Sequence, residues 1–368
     1  MKKTFLLVLI ILTVKNLIAK DVEFKPHLWS INDPEGGLIT TYMGRKSLFL
    51  YQGFAFLKGL LLTDGTIEVD FNAHGNRGFA GIVFRSKNKE SHELVYLRCH
   101  LSNKPNAIQY APRFNGVMGW QLYSNKGHIA NTEIPHNRWI HLKLEVKGKK
   151  AFFYVNDSSE PDLIITDLKQ KVSEGEIGLW ALNGPGHFSN FSYTKTDPEP
   201  VEVELNQIKP INPNFIDRWK LSNVFKEGDL NIDQIDNDFL KKLDWVDVVT
   251  DQNGMLDISK YRKKITQIHS SPVKNGWDDV IALSTITSNK KRTINLSFGY
   301  SDKIKIVVNG KLMFQGNNSF RSKSPRFLGI VGVNNETLTI PLVKGENQIL
   351  FVVTEQFGGW GFITKFEK

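Results

Sequence analysis

Hydrophobic and polar positions alternate along most of the chain. In GTIEVDF (Gly65–Phe71), Ile67, Val69 and Phe71 fall on one side and Glu68 and Asp70 on the other. A period of two marks a strand with one buried face. AGIVFRS, ELVYLRCHLS, WIHLKLEVKG, KAFFYVND and GEIGLWAL follow, separated by Gly, Asn, Asp and Pro turns. In WIHLKLEV, Ile140, Leu142, Leu144 and Val146 share one side, and Trp139, His141, Lys143 and Glu145 the other. Short strands between turn signals predict an antiparallel sandwich rather than βαβ units.

The segment Thr196–Phe215, TDPEPVEVELNQIKPINPNF, brings four prolines close together and reads as a linker. A second all-β set follows, including DDVIALSTITS, RTINLSFGYS, KIKIVVNGKLMF and ENQILFVVTE. Asn309-Gly310 predicts a tight hairpin turn, and Asp238–Leu243 reads as a short helix or a loop. The eight tryptophans divide evenly, four before the linker and four after it, so each half has aromatic anchors for its own core. The expected organisation is two β-sandwich jelly rolls in tandem, residues 21–196 and 215–368, joined by a Pro-rich linker at 197–214. Two separately folding halves are expected.

Composition changes this picture in three places. Lys2 and Lys3 precede the apolar run Phe5–Val14, and Ala19 follows at a plausible cleavage point. That is a secretory signal pattern over residues 1–19, too short an apolar run for a bilayer span, so the mature protein is expected to be secreted or periplasmic with no membrane span. The formal charge of +9 falls by the three lysines Lys2, Lys3 and Lys15 to +6 in the mature chain. The remaining basic residues are scattered, unlike the clustered cations of a nucleic-acid reader, so no nucleic-acid partner is expected. Cys99, the single cysteine, rules out an internal disulfide framework and shares its parity with Leu97 and Leu101, as a small buried hydrophobe would.

The stretch YLRCHLSNKPNAIQYAPRFNGVMGWQLY (Tyr96–Tyr123) carries the first candidate chemistry. Tyr96, Arg98 and His100 share one parity. If Leu97, Cys99 and Leu101 face the core, those three line an outer surface. Arg85 ends the preceding strand, and Gln109 and Arg113 lie on the next. Such a face offers donors to sugar hydroxyls or a carboxylate, with Arg able to bind bidentately. Trp120 and Tyr123 add flat apolar faces for sugar rings. Arg85, Tyr96, Arg98, His100, Gln109, Arg113, Trp120 and Tyr123 are therefore the expected ligand-binding residues, against the competing reading that the aromatics simply fill a core.

GTIEVDF, FAGIVFRS, WIHLKLEVKGKKAFFYVND and GEIGLWALNGPGHFSNFSY, in that order, resemble the strands of the concanavalin A-like lectin/glucanase superfamily, a two-sheet jelly roll. The Tyr96–Tyr123 segment is similar to a signature of an uncharacterised secreted bacterial subgroup, with some likeness to 3-keto-disaccharide hydrolase domains. The resemblance spans roughly Asp21–Thr194 and speaks for fold more than activity. Glycosidases of this fold place a carboxylate pair on one strand, commonly as Glu-x-Asp-x-x-Glu. Here Glu68 and Asp70 are followed by Ala73, so the third acid is missing. Catalytic pairs lie ~5 Å or ~6.5–9.5 Å apart. Alternate residues of a strand lie ~6–7 Å apart, so spacing leaves Glu68 and Asp70 open both as a pair and as the polar face of a strand. In the second half, GYSDKIKIVVNGKLMFQG and LTIPLVKGENQILFVVTEQFGGWGF resemble the galactose-binding-like jelly roll appended to glycoside hydrolases. There FGGWGF either opens a glycine-lined edge for Trp360 or relieves crowding where Trp360 closes the core.

No cluster has zinc-ligand spacing, and no cofactor is expected. A structural calcium is left open, because Asp251-Gln252-Asn253-Gly254 resembles part of a calcium loop, though a hairpin turn accounts for it too. The expected function is non-catalytic recognition of a carbohydrate ligand through a groove on the first jelly roll. The alternatives are a carbohydrate-cleaving enzyme, with acids such as Glu93 or Glu68, and a structural or protein-interaction module.

Overall fold

A computed structural model describes residues 19–73, 77–184, 186–198, 212–266 and 275–367. The signal segment up to residue 18 and most of the expected linker lie outside the described residues. The chain is nearly all β, as its alternation predicts, and its strands pair antiparallel into four sheets.

Two sheets form the first sandwich. One runs, edge to edge, Leu163–Ile165, Lys150–Val155, Trp139–Lys147, Asp64–Ala73, Gly186–Thr196, Arg45–Leu50 and Leu38–Tyr42. The other runs Val117–Met118, Arg113–Phe114, Ser91–Arg98, Phe79–Asn88, Gly175–Leu182, Gly53–Leu62 and Trp29–Asn32. Ile67, Val69, Phe71, Leu142 and Leu144 of the first sheet meet Ile82, Val95, Leu97 and Leu179 of the second in one core. These are the residues that alternation turns inward. Parity also places Glu93 on the inward side with Val95 and Leu97. It is fully enclosed, accepting from the Tyr110 hydroxyl at 2.8 Å and from the Gln170 amide at 2.8 Å.

The second half pairs a sheet led by Asp278–Ser288 and Gly345–Glu355 with one built on Arg292–Ser301. Its core holds Trp219, Phe298, Phe351, Trp360 and Phe362. Asn309 (φ 48°) and Gly310 (φ 78°) make the expected hairpin turn, with the left-handed dihedrals that Asn-Gly tolerates. Asn237–Leu240 is a single helical turn, capped by the Asp236 carboxylate on the Phe239 amide.

Each half has a core, yet the halves share a dense interface. The segment Trp120–Tyr123 inserts into the second half. Gln121 is fully buried there: its amide donates to Gly358 O and its carbonyl accepts from Val331 N. Its side chain donates to Leu328 O at 2.7 Å and accepts from the Ser301 hydroxyl at 2.9 Å. Leu122 and Tyr123 pack on Met255, Val331 and Ile363. The glycines of FGGWGF serve this docking. A Cβ on Gly358 would lie 2.0 Å from Gln121 Oε1, and one on Gly359 2.8 Å from Leu122 Cγ. Trp360 itself is buried in the core, donating to Val353 O at 3.0 Å.

Candidate functional site

Strand 91–98 turns Tyr96 and Arg98 outward from the first core, and there the second half covers them. Val83, Leu94, Tyr96, Trp120 and Trp180 form one apolar cluster, against which Phe320, Ile330 and Phe357 pack. Trp120 meets Phe320 edge-on at 5.8 Å between ring centroids. The expected open groove is thus corrected to an interface, because side chains of the second half take its aromatics out of water. Arg98 donates to Gln109 Oε1 and stacks over Trp120 at 5.7 Å. Gln109 in turn donates to Trp120 O, Tyr123 O and Ser124 Oγ, tying down the inserted segment. Tyr123 donates to Asp257 of the second half at 3.0 Å. Burial first, then the charge of Asp257, pushes the Tyr123 hydroxyl well up.

The other expected ligands are scattered. Arg85 is buried, in an ion pair with Asp64 at 2.7 Å, and donates also to Thr63 O and Gly148 O, so it braces a turn. Arg113 sits over Phe54 and donates to Lys89 O. His100 alone is exposed, but strand 91–98 ends before it and Cys99–Leu101 forms a 3-10 turn, which breaks the parity.

The opposite outer face, on the sheet containing strand 64–73, brings together a different set. Direct register across four strands places Trp139, Asn72, His187 and Phe49 in one row. The next row holds His141, Asp70 and Ser189. Arg45 lies three strands from Trp139, yet its guanidinium sits 5.1 Å from the Trp139 ring and pairs with Asp70. Strands are ~4.8 Å apart, so the tip of the Leu38–Leu50 hairpin must fold over the sheet. Met43 (φ 45°) and Gly44 (φ 74°) make that tip, another left-handed pair suited to a tight turn. Tyr42 stacks on His187 at 3.8 Å, and Met43 Sδ receives the Asn72 amide at 3.3 Å. At the end of the row, Glu35, Phe49, Tyr51, Gln52 and Asn183 line a cavity of about 500 Å³.

His141 joins the two carboxylates that the sequence singled out. Nδ1 lies 2.8 Å from Asp70 and Nε2 3.0 Å from Glu68. The hydrogen bond to Asp70, partly opposed by burial and reinforced by Glu68, raises the imidazole to about 9. Both nitrogens therefore donate at neutral pH. Burial pushes the Asp70 carboxyl upward, but hydrogen bonds from His141 and Asn190 and the charge of Arg45 outweigh it and hold the group low. The cluster Arg45–Asp70–His141–Glu68 is a closed chain of alternating charge. Among the carboxyls raised by burial, Glu93, Asp257, Asp302 and Glu355 are enclosed.

Among the described residues no cluster of three or more His, Cys, Asp or Glu side chains has metal-ligating geometry. Asp251 closes its own turn, accepting from Asn253 N and Met255 N at 2.9 Å, and Lys169 of the first half occupies its other oxygen at 2.8 Å. A cation there would have to displace that lysine.

The row Trp139–Asn72–His187–Phe49 was not among the expected ligands. Its signal lay in the outward parity of WIHLKLEV and in the Met-Gly turn, but only the fold-over of the hairpin joins them.

Residues 33–193 match the family model for a 3-keto-alpha-glucoside-1,2-lyase-like domain. No curated protein matches the sequence. Among solved structures, the chain is similar to the carbohydrate binding module CBM66 from Bacillus subtilis, at 21% identity over 46% of this chain and 96% of that one, with a TM-score of 0.34. A Bacillus licheniformis beta-glucanase is 13% identical over 50% and 100%, with a TM-score of 0.35. A Bacillus subtilis protein with a galectin-like fold is 12% identical over 50% and 97%, with a TM-score of 0.37. Likeness at this level stops short of the site.

Proposed function

We propose that this is an exported carbohydrate-binding protein that holds its glycan on the outer face of the sheet containing strand 64–73. The observation that carries the reading is the Trp139–Asn72–His187–Phe49 row, which runs into the cavity beside Tyr51 and Gln52. Apolar ring faces interleaved with amide and carboxylate groups match a sugar, whose C–H faces stack and whose hydroxyls both donate and accept. The family model over residues 33–193 supports a carbohydrate ligand. The second half is read as a galactose-binding-like jelly roll whose loops 328–331 and 356–359 anchor the first.

Cleavage is the second reading, favoured by Glu68, Asp70 and His141 in mutual contact. Binding fits the geometry better, because His141 is held as a cation with both nitrogens spent and Asp70 stays ionised, so neither of these two is poised to exchange a proton near neutral pH.

A glycan array with the mature chain tests this. Retention of a glycan that Trp139→Ala abolishes supports the reading. Binding that survives Trp139→Ala and fails in Trp245→Ala, in the second half, would move the site. Product analysis on any retained glycan separates binding from cleavage.

A further inference from the structure

Among the described residues, some of the buried polar atoms lacking a hydrogen-bond partner in the protein lie at one corner of the first sandwich. Asn72 Oδ1, Trp139 Nε1 and His136 Nδ1 are three of them. Asn72 and Trp139 are directly opposite in register, and His136 bridges to Ala73, the next residue of the same strand. A buried acceptor or donor left unpaired costs more than an apolar side chain of the same shape. Strand 64–73 could have carried such a side chain at position 72. An orphaned pair on facing residues therefore asks for a partner.

The surroundings select that partner. Asn72 Oδ1 needs a donor, and the Trp139 indole needs an acceptor. An anion meets the acceptor oxygen of Asn72, with the Asp70 and Glu68 carboxylates on the adjoining positions of the same strand face. A cation meets the indole N–H, the Arg45 guanidinium over the same ring, and the protonated His141. A hydroxyl donates and accepts at once and offends neither. Asn72 is fully buried, and one of the side chains over it is exposed enough to leave. That side chain is Met43, 55% exposed at the hairpin tip, whose thioether is only a weak acceptor for the Asn72 amide.

We propose that Asn72 Oδ1 and Trp139 Nε1 form the hydrogen-bonding end of a subsite for a hydroxyl of a neutral sugar, which enters by displacing Met43. This rests on the carbohydrate-binding reading above and adds the ligand's charge class and the atoms that read it. Tyr42, stacked on His187, and the Trp139 ring give the subsite its walls.

The test uses the full mature chain. Affinity electrophoresis compares neutral polysaccharides (β-glucan, mannan, xylan, levan) with uronic ones (pectate, alginate), alongside thermal melting of each variant. Trp139→Phe keeps a ring and removes the donor. Asn72→Leu keeps the volume and removes the acceptor. The expected result is retention on a neutral polymer, weakened about tenfold by either variant, since losing one buried hydrogen bond changes an equilibrium by about that factor. Asn72→Leu should melt no lower than the parent, because it removes an orphan. Met43→Ala should bind as well as the parent or better. If Trp139→Ala abolishes retention while Trp139→Phe and Asn72→Leu bind normally, the carbohydrate face stands and the hydroxyl subsite is wrong. If Asn72→Leu melts well below the parent, Asn72 is satisfied by ordered water and serves structure, which also overturns the subsite. Preference for pectate or alginate overturns the neutral class. Retention of none of the polymers overturns the binding reading and the subsite together.

Discussion

Replacing Gly358 by alanine should weaken the junction between the halves more than any surface change. Gly358 has φ +113°, a conformation that residues with a Cβ rarely adopt. That alone costs roughly 1–3 kcal/mol. The new Cβ would also sit 2.0 Å from Gln121 Oε1 and 2.5 Å from its Cδ. Long side chains often swing aside, but this one is pinned by bonds to Leu328 O and the Ser301 hydroxyl, in a fully buried site. Displacing it strands buried polar groups at about 1–3 kcal/mol. The sum is roughly 2–6 kcal/mol. Gly310→Ala is the control. Its φ is +78° and nothing lies within 4 Å of the added Cβ, so it carries strain alone, about 1–2 kcal/mol. Urea unfolding of both variants, followed by tryptophan fluorescence, measures the difference. The double variant Gly358→Ala with Gln121→Ala should recover part of the loss, since the clashing side chain is gone. Equal destabilisation by Gly358→Ala and Gly310→Ala would refute the reasoning, and with it the role of Gln121 as the plug.

Three further outcomes follow from the same structure. The His141 ring, raised to about 9 from 6.5, lends stability that is fully present below pH 6.5 and fades as pH rises through 9. The full gap corresponds to about 3 kcal/mol. Partial exposure and salt reduce that to roughly 1–2 kcal/mol. An NMR titration of His141 should give the raised value, a His141→Gln variant should lose that part of the pH dependence of unfolding, and a titration midpoint near 6.5 would remove the argument. Residues 21–196 produced alone should self-associate on size-exclusion chromatography, because Trp120, Tyr123 and Trp180 lose their cover; a monodisperse monomer would mean the interface is dispensable. Burial pushes the Cys99 thiol up to about 12, so a thiol reagent should label it only in denaturant, and rapid labelling of the native protein would contradict the burial.

Alternation alone determined which side of each strand faces a core. Ile67, Val69 and Phe71 turn in, and Glu68 and Asp70 turn out, because the direction of a side chain on a strand is a local property with a period of two. Glu93, offered from the sequence as a candidate acid, shares the parity of Val95 and Leu97 and is enclosed with them, whereas Tyr96 and Arg98 face out of the first core. Alternation failed at His100, where a 3-10 turn replaces the strand and parity loses its meaning. What lies over an outward face is a different kind of fact. Tyr96 and Trp120 read as part of a sugar-binding face, but Phe320, Ile330 and Phe357 arrive from the far half of the chain to seal them. Trp139 and His141 share the outward side of WIHLKLEV, and only the fold-over of the Met43-Gly44 tip gives that side its partners. Turn chemistry, glycine spacing and alternation are written within a few residues, so they can be read one segment at a time. What covers each outward face, a distant half of the chain or a hairpin tip, depends on contacts between segments far apart in the chain, and no local pattern encodes that pairing.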